Sequence, residues 1–242
     1  MRYTASNDCN NKRTMSCAIK ICGITTTEDA RIADAAGADF LGVIVNVTSS
    51  PRSLTVNEAK EIFSCSKIPV ILLTYDMPTD KVAALVSELN PFGVQLAGNE
   101  TLDDIRTLRN SLNCEIWKSL HIPVNENEGL KINDIVNKIT AFKEAGSDRI
   151  VLDSTVKTGS TVQKGGTGRP FDWSLASAIT KKARSFLFLA GGINPENVKQ
   201  AITQVIPDGI DLSSGVEKSV GKKDLQLLKK LITTVREAET SL

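Results

Sequence analysis

The sequence predicts an α/β protein folded as a single (β/α)8 barrel, and three observations support this prediction. Short apolar runs rich in β-branched residues alternate with longer amphipathic segments along the whole chain. The alternation runs evenly through eight repeats, and strands separated by helices pair in parallel through right-handed crossovers. The chain has 242 residues, close to the size of one TIM barrel. An open doubly wound sheet fits less well, because no GxGxxG follows the first strand.

Each repeat begins with a strand and continues with a helix. The predicted strands are residues 18–22, 40–45, 69–74, 93–96, 115–120, 149–153, 186–190 and 209–213. In the first helix, Thr25 and Glu28 have the spacing of a capping box, and Gly37 is placed as the C-terminal cap. Asn194 followed by Pro195 predicts the start of the seventh helix.

The composition excludes several classes of protein. The net charge of +1 gives no electrostatic basis for binding nucleic acid or an anionic membrane surface. The apolar runs are too short to span a bilayer. The five cysteines lack paired CxxC spacing and there is one histidine, so we predict no metal site and reduced thiols in a cytoplasmic protein.

The first residues differ from the rest of the chain. Residues 1–17 are polar, rich in Asn, Ser and Thr, and lack the apolar core of a signal peptide. We expect them to form a disordered tail. Residues 18–242 show no linker or shift of composition, and we expect them to form one barrel domain.

Three side chains that could take part in catalysis or binding lie at or after the ends of predicted strands. Catalytic groups of (β/α)8 barrels lie at these C-terminal ends, because the βα loops converge there. Cys22 ends the first strand before Gly23, and Asp153 ends the sixth. Arg52 follows the second strand in a proline-containing turn, where its guanidinium could bind a carboxylate or phosphate. Taken singly, Cys22 could be a small buried hydrophobe, Asp153 a loop cap and Arg52 a solvent-exposed loop residue.

Two glycine-rich loops predict an anion site. Gly191 and Gly192 follow the seventh strand and precede a helix start, where backbone N–H groups bind anions. Ser214 and Gly215 follow the eighth strand, and these two loops form the usual phosphate site of the fold. A long loop after the sixth strand contains GGTG at residues 165–168, which would allow close approach of a ligand. His121, after the fifth strand, is more typical of a residue that lines the mouth than of a catalytic group.

The motifs KICGIT, SSPRSL, VQLAG, VLDS, GGTGRPFDW, LAGGINPENV and GIDLSSGVE occur in this order. Together they resemble phosphoribosylanthranilate isomerase of tryptophan biosynthesis, from Ile19 to about Asp224. The resemblance implies an Amadori rearrangement of an N-linked aldose phosphate to a 1-amino-1-deoxy ketose, without a metal or redox cofactor. It also implies a small phosphosugar substrate, no nucleic acid or membrane partner, and a monomer or homodimer.

The resemblance assigns a role to each site residue. Cys22 would be the general base, as a thiolate with a modestly depressed pKa, and Asp153 the general acid. Arg52 would hold the anthranilate carboxylate, and Asp211 the sugar hydroxyls. The remaining substrate-binding residues would be Gln95, Gly191, Gly192, Ser214 and Gly215.

The chain departs from the family pattern at one position, and alternatives to the family assignment stay open. Many members read VQLHG where this chain reads VQLAG, so Ala97 replaces a histidine. One alternative is the histidine-biosynthesis type of phosphosugar isomerase, which has an aspartate where Cys22 stands. An indole-glycerol-phosphate synthase would need a lysine-rich first strand. The last alternative is a catalytically silent barrel that only binds a phosphorylated metabolite.

Overall fold

The structure is a computed structural model that describes residues 16–123, 132–158, 161–164 and 173–240. Within these residues the chain forms twelve strands and eight helices. The strands are β1 (Ala18–Cys22), β2 (Phe40–Val45), β3 (Ser53–Leu54), β4 (Val70–Thr74), β5 (Gly93–Leu96), β6 (Glu115–Pro123), β7 (Arg149–Thr158), β8 (Thr161–Lys164), β9 (Phe186–Ala190), β10 (Gly209–Leu212), β11 (Glu217–Ser219) and β12 (Lys222–Lys223). The helices are α1 (Thr27–Ala36), α2 (Val56–Cys65), α3 (Thr79–Leu89), α4 (Leu102–Ser111), α5 (Ile132–Ala145), α6 (Trp173–Lys182), α7 (Val198–Val205) and α8 (Leu225–Glu239).

Eight parallel strands close into a ring, which confirms the predicted (β/α)8 barrel. The ring consists of β1, β2, β4, β5, β6, β7, β9 and β10, paired in that order. It closes because β1 pairs with both β2 and β10. The register places Lys20 beside Asp211 on β10 and Cys22 beside Gly42 on β2.

The two faces of β1 have different surroundings. Ile19 and Ile21 are fully buried in the main hydrophobic core, which lies between the barrel wall and the helices. Because successive residues of a strand point to opposite faces, Lys20 and Cys22 point into the barrel interior. The same alternation on β10 directs Asp211 inward, next to Lys20.

Aromatic rings fill the N-terminal end of the barrel interior. The ring of Trp117 packs on Phe40 and Phe188, with centroid distances of 5.3 and 4.7 Å. Arg149 lies over Trp117, and its Nε donates a hydrogen bond of 2.7 Å to Glu115. This end is closed by packing, whereas the inward residues nearer the C-terminal end include the polar groups of the site.

Two helices begin later than the sequence predicts. The N-cap of α1 is Thr26, whose hydroxyl accepts from the Asp29 amide at 3.0 Å, so the predicted capping box at Thr25 is wrong by one position. Three consecutive threonines make that register ambiguous in the sequence. Helix α7 begins at Val198, because Asn194 instead organises a turn by accepting from the Glu196 amide at 2.9 Å.

The segment after the sixth barrel strand is partly regular. Strand β7 continues to Thr158 and pairs antiparallel with β8, whereas the sequence predicts a strand ending at Asp153 and a structureless loop. The β-branched residues on both arms favour this hairpin. Asp153 therefore lies within a strand. The GGTG segment at residues 165–168 lies outside the described residues.

The first described residues pack against the last helix, α8. Cys17 is buried, its backbone N–H donates to Glu239, and its carbonyl accepts from Arg236 at 2.9 Å. No helix of the described residues is long and apolar enough to cross a membrane.

Candidate active site

Cys22 is the last residue of β1, as the sequence predicts, and its side chain is at the C-terminal mouth of the barrel. It is 7% exposed and packs in a small apolar cluster with residues that include Ile44 and Leu73. The next residue, Gly23, has φ +69°, and a Cβ there would lie 2.6 Å from Cδ of Arg52. Only glycine allows the chain to turn here with Arg52 packed against it.

The electrostatic environment of Cys22 differs from the sequence expectation. Burial raises the pKa of its thiol above the ordinary value, so the predicted depression is wrong for this structure. Lys20 is the strongest opposing influence, through its charge and a hydrogen bond, and Lys223 also favours the thiolate. Removal of water from the sulfur causes this rise, and no motif in the sequence signals it.

Lys20 is a site residue that the sequence analysis missed. Its Nζ donates to Oδ2 of Asp211 at 2.9 Å, and both residues are buried. Asp211 and Cys22 raise the pKa of Lys20, outweighing the effect of burial, so the amine is held as an ammonium. A sequence signal existed: Lys20 is two residues before Cys22 and therefore shares its face of the strand.

Asp153 lies on β7, and its side chain is 18% exposed. Burial raises the pKa of its carboxyl to about 7, and the negative charge of Asp211 adds to the effect. The backbone N–H of Ser154 and the charge of Lys20 act in the opposite direction. Near neutral pH a sizeable fraction of the carboxyl is thus protonated, and this is the form that can donate a proton.

His121 on β6 borders Asp153 and the residue that departs from the family pattern. Its Nδ1 is 3.8 Å from Oδ2 of Asp153, and its Nε2 is 2.7 Å from the carbonyl oxygen of Ala97. A carbonyl can only accept, so Nε2 carries the hydrogen in this arrangement. His121 therefore lines the mouth and links the end of β6 to the loop after β5.

Arg52 is held at the mouth by a carboxylate that the sequence analysis did not single out. Its Nε and Nη2 donate to the two oxygens of Glu217 at 2.8 and 2.7 Å. Lys223 donates to Glu217 at 2.8 Å. Burial works to raise the pKa of Glu217, but the hydrogen bonds from Arg52 and Lys223 outweigh it and lower the pKa. A ligand carboxylate would bind at Nη1 of Arg52 or compete with Glu217.

The loops after β9 and β10 pack directly on each other, as the predicted anion site requires. Gly191 and Gly192 have φ +88° and +68°, and a Cβ on Gly191 would overlap the side chain of Ser154. A Cβ on Gly215 would overlap the carbonyl oxygen of Ile193. Gly191 and Gly215 therefore allow close contacts that any side chain would prevent, and Gly192 adopts a backbone conformation that favours glycine.

Ser214 and Gln95 occupy different depths of the site. Ser214 is exposed and begins a short 3-10 helix, Ser214–Val216, at the mouth. Gln95 is 3% exposed, deeper in the barrel, with its Nε2 donating to Oγ of Ser119 at 3.0 Å. The structure therefore exposes Ser214 to a ligand at the mouth more directly than Gln95.

Titratable groups from β1, β7 and β10 meet at the C-terminal mouth of the barrel, which is the arrangement of a (β/α)8-barrel enzyme. A family model described as N-(5'-phosphoribosyl)anthranilate (PRA) isomerase matches residues 19–234. The chain belongs to this family. The resemblance drawn from the motifs and the prediction of an isomerase of tryptophan biosynthesis are thereby confirmed.

Individual relatives agree with the family match. An N-(5'-phosphoribosyl)anthranilate isomerase of Methanosarcina acetivorans is 36% identical over 228 residues, which cover 90% of this chain and 92% of the relative. The crystal structure of phosphoribosyl anthranilate isomerase from Thermotoga maritima has a TM-score of 0.76 and 31% identity, covering 91% of this chain and 99% of that one. A further structure of the enzyme, in complex with reduced 1-(o-carboxyphenylamino)-1-deoxyribulose 5-phosphate, has a TM-score of 0.74 and 28% identity, with the same coverage.

Proposed function

We propose that this chain rearranges N-(5'-phosphoribosyl)anthranilate to 1-(2-carboxyphenylamino)-1-deoxyribulose 5-phosphate, with Cys22 as general base and Asp153 as general acid. One observation carries the assignment of these two residues. Cys22 and Asp153 belong to one electrostatic cluster, because the charges of Lys20 and Asp211 act on both groups. The cluster lies at the mouth of a barrel whose last two βα loops are packed together.

The rearrangement needs two proton transfers on one sugar. Asp153 donates a proton to the ring oxygen as the C1–O bond breaks, and the nitrogen lone pair forms the C1=N bond of a protonated Schiff base. The Cys22 thiolate then removes the proton from C2, giving an enolamine. Transfer of a proton to C1 and loss of the C2 hydroxyl proton then form the C2 carbonyl, so the isomerisation gains and loses no atoms. The pKa of about 7 suits Asp153 to the first step.

The remaining site residues would bind the ends of the substrate. The loops carrying Gly191, Gly192, Ser214 and Gly215 would hold the phosphate. Arg52 would pair with the anthranilate carboxylate through the edge of its guanidinium directed away from Glu217. Asp211 would accept from sugar hydroxyls. Binding at both ends would place C2 against the thiol.

The buried Gln95 would act from beneath the mouth rather than at the anion loops. Its amide donates to Ser119 in this structure, so a contact with the substrate would use its carbonyl oxygen or a change of partner. We propose that Gln95 contacts the substrate on the side of the barrel nearest Ala97.

A silent barrel that binds a phosphorylated metabolite is the competing function. Two observations favour it: Ala97 replaces the common histidine, and burial raises the pKa of Cys22. Both concern the efficiency of the reaction. Neither removes the acid, the base or the anion loops.

The deciding experiment follows the loss of phosphoribosylanthranilate fluorescence with purified protein. We expect turnover by the native chain and a fall of kcat by at least roughly a hundredfold in Cys22→Ala, the scale of a lost proton-transfer group. Cys65→Ala is the matched control, because Cys65 is an exposed thiol on α2, away from the mouth. Full activity in Cys22→Ala would show that the base is another group, and no turnover by the native chain would favour the silent barrel.

The cellular location and the oligomeric state are also matters of proposal. We propose a cytoplasmic enzyme, as the unbridged thiols Cys17, Cys22, Cys65 and Cys114 suggest for the described part of the chain. Light scattering coupled to size-exclusion chromatography would distinguish a monomer from a homodimer. The barrel domain over residues 18–242 would account for all of the proposed activity.

A further inference from the structure

The proposed reaction leaves Lys20 without a role, although its position is unusual. Its side chain has 0% exposure and projects into the barrel on the same face of β1 as Cys22. An ammonium is rarely fully buried unless it is paired. The salt bridge to Asp211 supplies that pairing.

A glycine on the neighbouring strand makes room for Lys20 and Cys22 to meet. Gly42 is the register partner of Cys22 on β2. A Cβ on Gly42 would lie 2.8 Å from Sγ of Cys22 and 2.9 Å from Nζ of Lys20. Both atoms therefore border the same small volume, the one that a side chain at position 42 would occupy.

The other charged groups that act on Cys22 come from three further elements. They are Asp211 on β10, Lys223 on β12 and Arg52 in the turn before β3. Glu217 pairs with both Arg52 and Lys223. Counting Lys20, the charged groups around Cys22 are three cations and two carboxylates. With Asp153 protonated, one negative charge on the sulfur would balance them.

Resting on the proposed role of Cys22, we propose that Lys20 is a positioning residue. Its ammonium, anchored by Asp211, faces the Cys22 sulfur across the space left at Gly42 and stabilises the thiolate that the base must form. Asp211 keeps the amine protonated inside the barrel, and the missing side chain at Gly42 leaves the path between nitrogen and sulfur open.

The chemistry of buried charges supports this role over a purely structural one. A buried ion pair often contributes no more stability than apolar residues of the same volume. The pair nevertheless occupies the interior next to the thiol. Burial raises the pKa of Cys22, and Lys20 is the largest influence that opposes this rise.

The test measures the thiol itself, independently of turnover. Lys20→Gln keeps a donor for Asp211 but removes the charge, and Lys20→Met removes both. Alkylation of each cysteine by iodoacetamide is followed against pH by peptide mass spectrometry. We expect the apparent pKa of Cys22 to rise by about one unit or more in both variants, which lowers its labelling below that pKa roughly tenfold. The exposed Cys65 serves as the internal reference and should be unchanged.

Lys118→Met is the matched control for loss of a buried ion pair. Lys118 is also buried and pairs with a carboxylate, Glu100, at 2.9 Å. It approaches Phe142 of α5, on the outer side of the barrel wall. We expect this variant to lose thermal stability without a change in Cys22 labelling.

Gly42→Ala provides a second route if the Lys20 variants do not fold. It retains every charge but forces Sγ and Nζ away from their shared volume. We expect the same upward shift in the pKa of Cys22 labelling, with kcat reduced more than KM is raised.

Unchanged labelling of Cys22 in a folded Lys20 variant, or in Gly42→Ala when neither Lys20 variant folds, would overturn the proposal. An equal shift in Lys118→Met would also overturn it. A shift confined to the Lys20 variants, in a chain without isomerase activity, would support the role of the ammonium and refute the proposed reaction. The experiment therefore distinguishes failure of the proposed role of Lys20 from failure of the proposed reaction.

Discussion

The base side and the acid side of the barrel mouth experience the same physical effect with opposite chemical consequences. Burial raises the pKa of Cys22 and the pKa of Asp153. For Asp153 this brings the carboxyl to about 7, where it can donate a proton near neutrality. For Cys22 the same effect disfavours the thiolate, the form that can accept a proton.

The charged side chains around Cys22 and Asp153 are distributed unevenly. Lys20 and Lys223 favour ionisation of Cys22, whereas the nearest strong influence on Asp153 after burial is the negative charge of Asp211. Asp211 acts on both sides: its charge raises the pKa of Asp153 and of Cys22, and it anchors the ammonium that opposes burial of the base. A site with an acid and a base requires such opposed environments.

The largest expected effect comes from removing the acid. We expect Asp153→Asn to lower kcat by about a hundredfold, because the amide cannot donate a proton to the ring oxygen. In the native enzyme the acid must be protonated, so kcat/KM should fall as pH rises through about 7. That descending limb should be absent from the residual activity of the variant. A limb that persists in Asp153→Asn would assign the acid to another group.

The sequence predicts the fold well because the barrel pattern is local and repeated. The strand bounds at 18–22, 40–45, 93–96 and 186–190 agree with the structure. Thr55 and Glu58, three residues apart, form the capping box of α2. The start of α7 was not predictable, since Asn194 can either cap a helix or form a turn, and tertiary contacts decide between them.

The site is only partly readable from the sequence, for a physical reason. Cys22 and Arg52 can be located because strand ends and turns have local signals. The pairing of Arg52 with Glu217 joins residues 165 positions apart, and no local sequence pattern predicts it. The raised pKa of Cys22 depends on burial by several strands together, which no single motif encodes.

An intermediate effect should follow from releasing Arg52. Glu217→Gln removes the charge that pairs with Arg52 and Lys223 while keeping the shape of the side chain. We expect KM to rise by about tenfold, the effect of losing one charge-assisted pair that orients a binding group. The pKa of Cys22 should fall, because two cations nearby are no longer balanced.

Glu217→Gln is expected to shift the pKa of Cys22 in the direction opposite to Lys20→Gln. Alkylation of Cys22 against pH, with steady-state kinetics, measures both effects. Glutamine accepts through only one atom, so a loss of thermal stability is also expected. A rise in the pKa of Cys22 in Glu217→Gln would show that the cation cluster does not govern the thiol.

The smallest effect is expected at His121, on the acid side. When the ring is neutral, Nε2 donates to the Ala97 carbonyl and the Nδ1 lone pair faces Asp153 at 3.8 Å. A lone pair in this position favours the protonated carboxyl. His121→Gln can still donate to Ala97 but removes the imidazole, so we expect the descending limb of kcat/KM to move to lower pH by less than about one unit. His121→Ala, which also loses the donor, separates the two contributions. If both variants kept the native pH profile, His121 would only line the mouth, and the environment of Asp153 would be set by burial and Asp211.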